Sequence, residues 1–317
     1  MVTLRYKNHS IYLLININSL WMKGEASLNY KIATRKSKLA QVQTDYVIGE
    51  IKRKFDINCE KYLIDTTGDK ILDLSIEKIG GKGVFVKDIE LALLSGKAHA
   101  AVHSMKDVPY DIEENFEIAA MPIREDAREA LITVNGCSFK ELPYGAKIGT
   151  SSKRRIAQIK ALRPDIELIP MRGNVDTRID KMYKEKLDGI VLALAGLKRL
   201  GLENKVSTCF SIEEIIPAVG QGALGIETLK GKEISTIVKG LDKVNVRICV
   251  EAERAFMEYL QGGCHTTIGA YATLEGDSIY MIGLFEVKGR LVKKDIYGSV
   301  YEHLDLGRRL AEKIISS

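Results

Sequence analysis

Lys31-Ile32-Ala33-Thr34-Arg35 is followed at once by Ser37 and then by Leu39, Val42, Tyr46 and Phe55 at helical spacing. The first run predicts a strand, and Ser37 is placed to cap a helix carrying those four side chains on roughly one face. The same unit recurs along the chain. Further strands are expected at 98–103, 117–121, 130–134, 147–149, 167–171, 189–194 and 223–227, with helical patterns between several of them, notably 152–162 and 175–187. Such alternation predicts α/β domains with largely parallel, two-sided sheets.

The pattern changes after about Val244. A helix over 250–260 is expected to end at Gly262-Gly263, where a C-terminal glycine belongs. Three β-type runs follow near 266–273, 278–286 and 290–297, separated by the turn-like Glu275-Gly276-Asp277 and Lys288-Gly289, and a helix near 304–315 closes the chain. This is the pattern of a small α+β domain with an antiparallel sheet. Residues 1–30 are expected to be a poorly ordered or peripheral leader, with Met22 as an alternative start. Their apolar run 11–15 is interrupted by Asn16 and Asn18, which argues against a secretory signal.

Composition narrows the function. The chain has 317 residues, 45% hydrophobic and 28% charged, with a formal net charge of only +5. That is an ordinary globular balance, too weakly basic for a nucleic-acid partner. Residues 123–216 hold 17 Lys/Arg against 13 Asp/Glu, which favours a local anionic ligand over a basic coat. The five cysteines are odd in number, widely spaced and without a C-x-x-C pair, so they suit a reducing cytoplasm better than a disulfide framework. No stretch approaches the length of a membrane span.

Three basic turns sit where strands give way to helices: Thr150-Ser151-Ser152-Lys153-Arg154-Arg155, Arg172-Gly173-Asn174 with Arg178 beyond it, and Gly196-Leu197-Lys198-Arg199. Free N–H groups at helix starts favour anions, and guanidinium forks match carboxylates. Strand ends at one edge of a sheet converge on a ligand crevice. Ser104-Met105-Lys106-Asp107 follows another strand, and a carboxylate there beside a cation is a candidate acid/base. His99 and His103 are four apart, but on a strand that spacing does not make a metal pair. Val219-Gly220-Gln221-Gly222-Ala223-Leu224-Gly225 matches a dinucleotide fingerprint in spacing only; a strand is expected to follow it, so it reads as an interdomain crossover. Cys264, after two glycines at a helix end, is placed as a reactive or modified sulfur.

Taken together, these segments resemble the porphobilinogen deaminase family. The resemblance is carried in collinear order by Ala33–Ser37, Gly80–Phe85, His103–Pro109, Gly149–Arg155, Arg172–Arg178, Ala195–Leu200, Pro217–Ala223, and Glu253-Arg254 through Cys264. It implies two similar, hinged α/β domains of the periplasmic-binding-protein type, 31–122 with 223–243 and 123–222, followed by a cysteine-bearing domain over 244–317. It implies that Cys264 carries a dipyrromethane cofactor through a thioether, that four porphobilinogen molecules are joined head to tail with loss of ammonia, and that hydrolysis releases hydroxymethylbilane. Asp107 would then be catalytic, assisting proton transfer and stabilising an azafulvene-like cation. Ser104, Lys106, Asp107, Thr150, Ser151, Ser152, Arg154, Arg155, Arg172 and Gly173 would hold the cofactor. Arg35, Ser37, Arg172, Arg178, Arg199 and Gln221 would meet substrate, with Phe85 and Gly80–Gly83 on a mobile cover. A cytoplasmic monomer without a metal, passing its product to uroporphyrinogen-III synthase, is the further implication. Two competing readings are a non-catalytic anion-binding protein, against which Cys264 and Asp107 argue, and a nucleotide-dependent enzyme.

Overall fold

The computed structural model describes residues 29–66, 86–263 and 266–317. Along the chain the strands are Asn29–Arg35 (β1), Asn58–Ile64 (β2), Ala100–Ser104 (β3), Phe116–Ala120 (β4), Glu129–Thr133 (β5), Lys147–Gly149 (β6), Glu167–Ile169 (β7), Gly189–Ala193 (β8), Thr208–Cys209 (β9), Leu224–Leu229 (β10), Ile268–Glu275 (β11), Ser278–Val287 (β12) and Arg290–Ser299 (β13). The α-helices are Lys38–Phe55 (α1), Lys87–Leu94 (α2), Lys153–Leu162 (α3), Val175–Lys184 (α4), Leu194–Arg199 (α5), Glu233–Lys239 (α6), Val244–Tyr259 (α7) and His303–Ile315 (α8).

The opening strand and helix form as the sequence predicts. Ser37 caps α1 by accepting from the Ala40 amide, and Lys52, Arg53 and Lys54 complement the dipole at its far end. Val47 and Ile51 of α1 bury against Ile32, Val102 and Ile226 of the sheet beneath.

Two five-stranded sheets have the same plan. The first runs β2-β1-β3-β10-β4 and the second β7-β6-β8-β5-β9. In each, the fourth strand is antiparallel to both neighbours, while the pairings that join the first three strands are parallel. Four of the five strands in each sheet therefore run the same way, as the expectation of largely parallel sheets has it, and one strand in each is reversed. A parallel neighbour needs a helical crossover; β5 and β10 instead arrive directly from the other sheet and enter the opposite way. The sequence does not single out β2, α2, α6 or β9, and Gly196–Arg199, expected as a turn, is part of helix α5.

The two connecting segments lie side by side. Arg124 and Ala223 form an antiparallel bridge, and the Glu125 amide donates to Gly222 O at 3.0 Å. Gly222 has φ +87°, and a Cβ there would overlap Glu125 O. The glycine-rich run is therefore shaped by a close backbone neighbour. A strand, not a helix, follows it, so no dinucleotide site is formed.

The third body is the antiparallel sheet β11-β12-β13. Phe256 of α7 and Leu306 and Leu310 of α8 pack against Ile279 and Met281 of β12. Helix α7 starts earlier than expected and carries Glu253, whose carboxylate is completely buried. Glu253 accepts from Arg124 Nη1 at 2.6 Å, the Gly220 amide at 2.7 Å and the Ala272 amide at 2.8 Å, joining both crossovers to the third body. Arg124 also lies over the Tyr271 ring, 4.8 Å from its centroid.

Candidate active site

The site is built at the C-terminal ends of parallel strands. Arg35 ends β1, Ser104–Asp107 follows β3, Thr150–Arg155 follows β6, Arg172 follows β7, and α5 with Arg199 follows β8.

On the first sheet, β3 turns through a single 3-10 turn, Met105–Asp107. Met105 is buried, its amide donates to Ala223 O at 2.9 Å, and the Val108 amide returns to Met105 O at 3.2 Å. Gly220 (φ +70°) lets the crossover come close: a Cβ there would lie 2.9 Å from Met105 Cβ and 3.3 Å from the Lys106 amide nitrogen. On the outer side, Arg254 of α7 donates to Val108 O at 3.1 Å and Pro109 O at 2.6 Å. Gln43 of α1 donates to Ser104 Oγ at 3.0 Å. The backbone is thus fixed from three directions. Asp107 is exposed, and neither it nor Lys106 has a hydrogen-bond or ion-pair partner among the described residues. Burial holds the Lys106 ammonium below the usual lysine range; Asp107 opposes that, and Arg155 and Arg154 add to it.

On the second sheet the charged side chains are themselves locked. Ser152 caps α3 by accepting from the Arg155 amide, and Ser151 Oγ bridges to Met171 O at 2.9 Å, tying the ends of β6 and β7. Thr150 is buried beside them, its hydroxyl accepting from the Ser152 amide at 3.2 Å. Arg154 donates to Ile216 O at 2.7 Å and Glu129 Oε1 at 2.6 Å; Arg155 donates to Val191 O at 2.8 Å and Glu129 Oε2 at 2.7 Å. Both arginines are 5% exposed and Glu129 is 0% exposed. Burial by itself would raise the Glu129 pKa, but Arg155 and Arg154, with Lys106 behind them, bring it down to about 2. Arg155 Nε is buried without a partner. Gly173 follows Arg172 at φ +128°, Asn174 caps α4, and Arg178 Nε donates to Gly173 O at 2.8 Å. Burial brings the Arg178 pKa down to about 10, with Arg155 and Arg172 pushing the same way and Asp107 opposing.

Lys106, Asp107, Arg154, Arg155, Arg172 and Arg178 therefore share one electrostatic neighbourhood across the cleft. Other expected residues are engaged as follows. Arg199 Nη2 donates to Gly222 O at 2.7 Å, and the charges acting on it are Glu125 and Tyr46. Gln221 is 1% exposed and donates to Ala127 O at 2.7 Å. Ser37 is the cap of α1, and Arg35 is half-buried at the end of β1. His99 and His103 are used separately: His99 Nδ1 accepts from the Lys31 amide at 2.9 Å, and His103 Nε2 lies 3.0 Å from Glu227 Oε2. Gly80–Gly83, Phe85, Cys264 and residues 1–28 lie outside the described residues.

Sequence reading missed Glu129, Gln43, Arg254 and Glu253. Glu129 left a signal, a carboxylate opening the otherwise apolar strand Ala130–Thr133. Glu253 and Arg254 stand in a segment that carries the resemblance but had no role assigned to them, and Gln43 left no signal.

Comparisons with known proteins bear on the same segments. Residues 30–236 match the family profile "Porphobilinogen deaminase, dipyromethane cofactor binding domain", and residues 247–316 match "Porphobilinogen deaminase, C-terminal domain". A porphobilinogen deaminase of Clostridium botulinum (strain Langeland) is 56% identical over 288 residues, covering 91% of this chain and 99% of that protein. One from Clostridium kluyveri is 55% identical, covering 91% of this chain and 100% of that protein. Among solved structures, the periplasmic VFT2 domain of Bordetella pertussis BvgS aligns at 13% identity and a TM-score of 0.42, covering 71% of this chain and 91% of that one. Both profiles and near-complete coverage by relatives more than half identical place this chain in the porphobilinogen deaminase family, the hydroxymethylbilane synthases of tetrapyrrole biosynthesis.

Proposed function

We propose that the chain joins four porphobilinogen molecules with release of ammonia, starting from a dipyrromethane on Cys264, with Asp107 as the catalytic carboxylate. The observation that carries this is the division of charge at the site: one carboxylate, unpaired among the described residues, faces a cluster of buried and half-buried cations.

The residues fit a dipyrromethane cofactor. Its acetate and propionate groups need cationic donors, and Arg155 Nε and the Lys106 ammonium, both without a partner among the described residues, are such donors. Arg154, Arg155, Arg172 and Lys106 would hold its carboxylates, with the Ser151–Ser152 turn beside them. When bound, the group supplies the pyrrole carbon on which the product chain begins. Loss of ammonia from porphobilinogen creates positive charge, which the arginines oppose. Asp107 stabilises that charge and carries the proton between nitrogen and solvent. Arg178, Arg199 and Arg35 are assigned to carboxylates of incoming substrate.

Assignment of the anchor to Cys264 is supported by three of the other four thiols. Burial raises Cys249 to about 12 and Cys59 to about 11, and it also raises Cys209, so these three are poor nucleophiles. The chain divides into 31–122 with 223–243, 123–222, and 244–317 as its three domains. No described helix is long and apolar enough to cross a membrane. A cytoplasmic monomer that passes hydroxymethylbilane to uroporphyrinogen-III synthase completes the proposal.

Intact mass of the purified protein, with and without Cys264→Ser, tests it. The expected excess equals two porphobilinogen units less their lost ammonias, present in the wild type and absent from the variant. A wild-type mass that stays unmodified after porphobilinogen is added would contradict the proposal and favour an anion-binding protein.

A further inference from the structure

We propose that Arg254 is a positioning residue: it fixes the Asp107 turn against the helix that leads into the cysteine-bearing segment. The inference rests on the catalytic role assigned to Asp107 above.

Arg254 sits on α7, and its guanidinium donates to three successive carbonyls, Val108 O at 3.1 Å, Pro109 O at 2.6 Å and Tyr110 O at 3.3 Å. Its hydrogen-bond acceptors among the described residues are all backbone, and no carboxylate lies within ion-pair distance of it there. A stabilising ion pair would call for a carboxylate; a fork spread over three carbonyls instead fixes the path of a chain. The first of those carbonyls belongs to the residue after Asp107, so holding it anchors the backbone that carries Asp107. The preceding residue on α7, Glu253, holds the Gly220 amide at 2.7 Å, and Gly220 packs under Met105 and Lys106. Adjacent residues of one helix thus grip the turn from both sides. The helix ends at Tyr259, and the chain continues through Gly262-Gly263 to Cys264 in sequence.

Geometry of this kind is costly to lose, since a misplacement of about 1 Å can lower a rate about 100-fold. Removing the guanidinium leaves the three carbonyls to water, which costs less in stability than in position.

The test compares wild type, Arg254→Gln and Arg254→Lys, all prepared as loaded enzyme and checked by intact mass. Four quantities are read: loading, kcat, KM for porphobilinogen, and amide hydrogen exchange over residues 104–110. For Arg254→Gln the expected result is full loading, KM within about threefold, kcat lowered about 10- to 100-fold, and faster exchange confined to that turn. Arg254→Lys, which restores charge but not the fork, should recover kcat only in part. The inference is overturned if Arg254→Gln turns over within twofold of wild type, or if its kcat falls only in proportion to lost loading. It is equally overturned if exchange rises across the whole protein rather than at the turn. An inactive, unloaded wild type would instead defeat the assigned reaction itself.

Discussion

The two sides of the cleft are held in opposite ways. On the first sheet, the Ser104–Asp107 turn is fixed through its backbone, by Ala223, the close glycines and Arg254, while Lys106 and Asp107 keep their charged ends unpaired among the described residues. On the second, Arg154 and Arg155 are fixed through their side chains, by Glu129 and two carbonyls. The difference matches the work proposed for each side. A group that must exchange a proton cannot be locked in an ion pair. Groups that hold a fixed array of carboxylates gain from being pre-oriented, because nothing needs reorganising when the ligand binds.

The largest effect expected from breaking this contrast is at Glu129. Glu129→Gln leaves two buried guanidiniums facing a neutral amide, and removing one partner of a buried pair costs about 3–5 kcal/mol. Urea unfolding measures it. The pH dependence has a defined sign: the Glu129 pKa is depressed to about 2 in the folded protein. Its contribution is full above the unfolded carboxyl value of about 4.3 and is lost as pH falls through the folded one. Glu129→Gln should therefore flatten the acid limb of stability. A loss below about 1 kcal/mol would mean that the arginines are held by something else.

A smaller effect is expected from Gly220→Ala, which meets both an unfavourable φ and the Met105 side chain. The expected cost is about 1–3 kcal/mol, with a fall in kcat because the Asp107 turn is displaced. Gly276→Ala is the control, since its φ is +63° but nothing lies within 4 Å of the added Cβ. It should lose some stability and no activity. Equal loss of activity in the two variants would break the contrast.

The smallest effect sharpens it from outside the cleft. Burial, with Glu227 and Glu113 nearby, raises the Glu90 pKa to about 7. A raised carboxyl pKa means that the folded state disfavours the charged form, so stability is lost as pH rises through that value. Glu90→Gln should raise Tm at about pH 8.5, leave it nearly unchanged at about pH 4, where the carboxyl is largely protonated folded or unfolded, and leave kcat unaltered. An equal Tm change at both pH values would show that Glu90 does not titrate there.

Much of the fold was legible because local patterns agreed with it. Ser37, Ser152 and Asn174 each cap the helix that their position predicts, and β6 has the expected bounds. The antiparallel strands β5 and β10 were not legible as such, because strand direction follows from how the chain crosses between sheets and leaves no trace in residue spacing. At the site, the charged turns could be read as strand–helix junctions. Their supports could not: Glu129 lies 25 and 26 residues from its arginines, and Arg254 lies 146 from Val108. Only the folded chain brings such partners together.

The most direct test of the division between the two sides is to load Asp107→Asn with cofactor, add porphobilinogen, and measure binding and ammonia release separately. The expected result is binding within a few-fold of wild type, with ammonia release slowed by about 100-fold or more and no loss of Tm. Near-normal ammonia release, or loss of binding in step with release, would contradict the assignment of chemistry to Asp107 and of holding to the arginines.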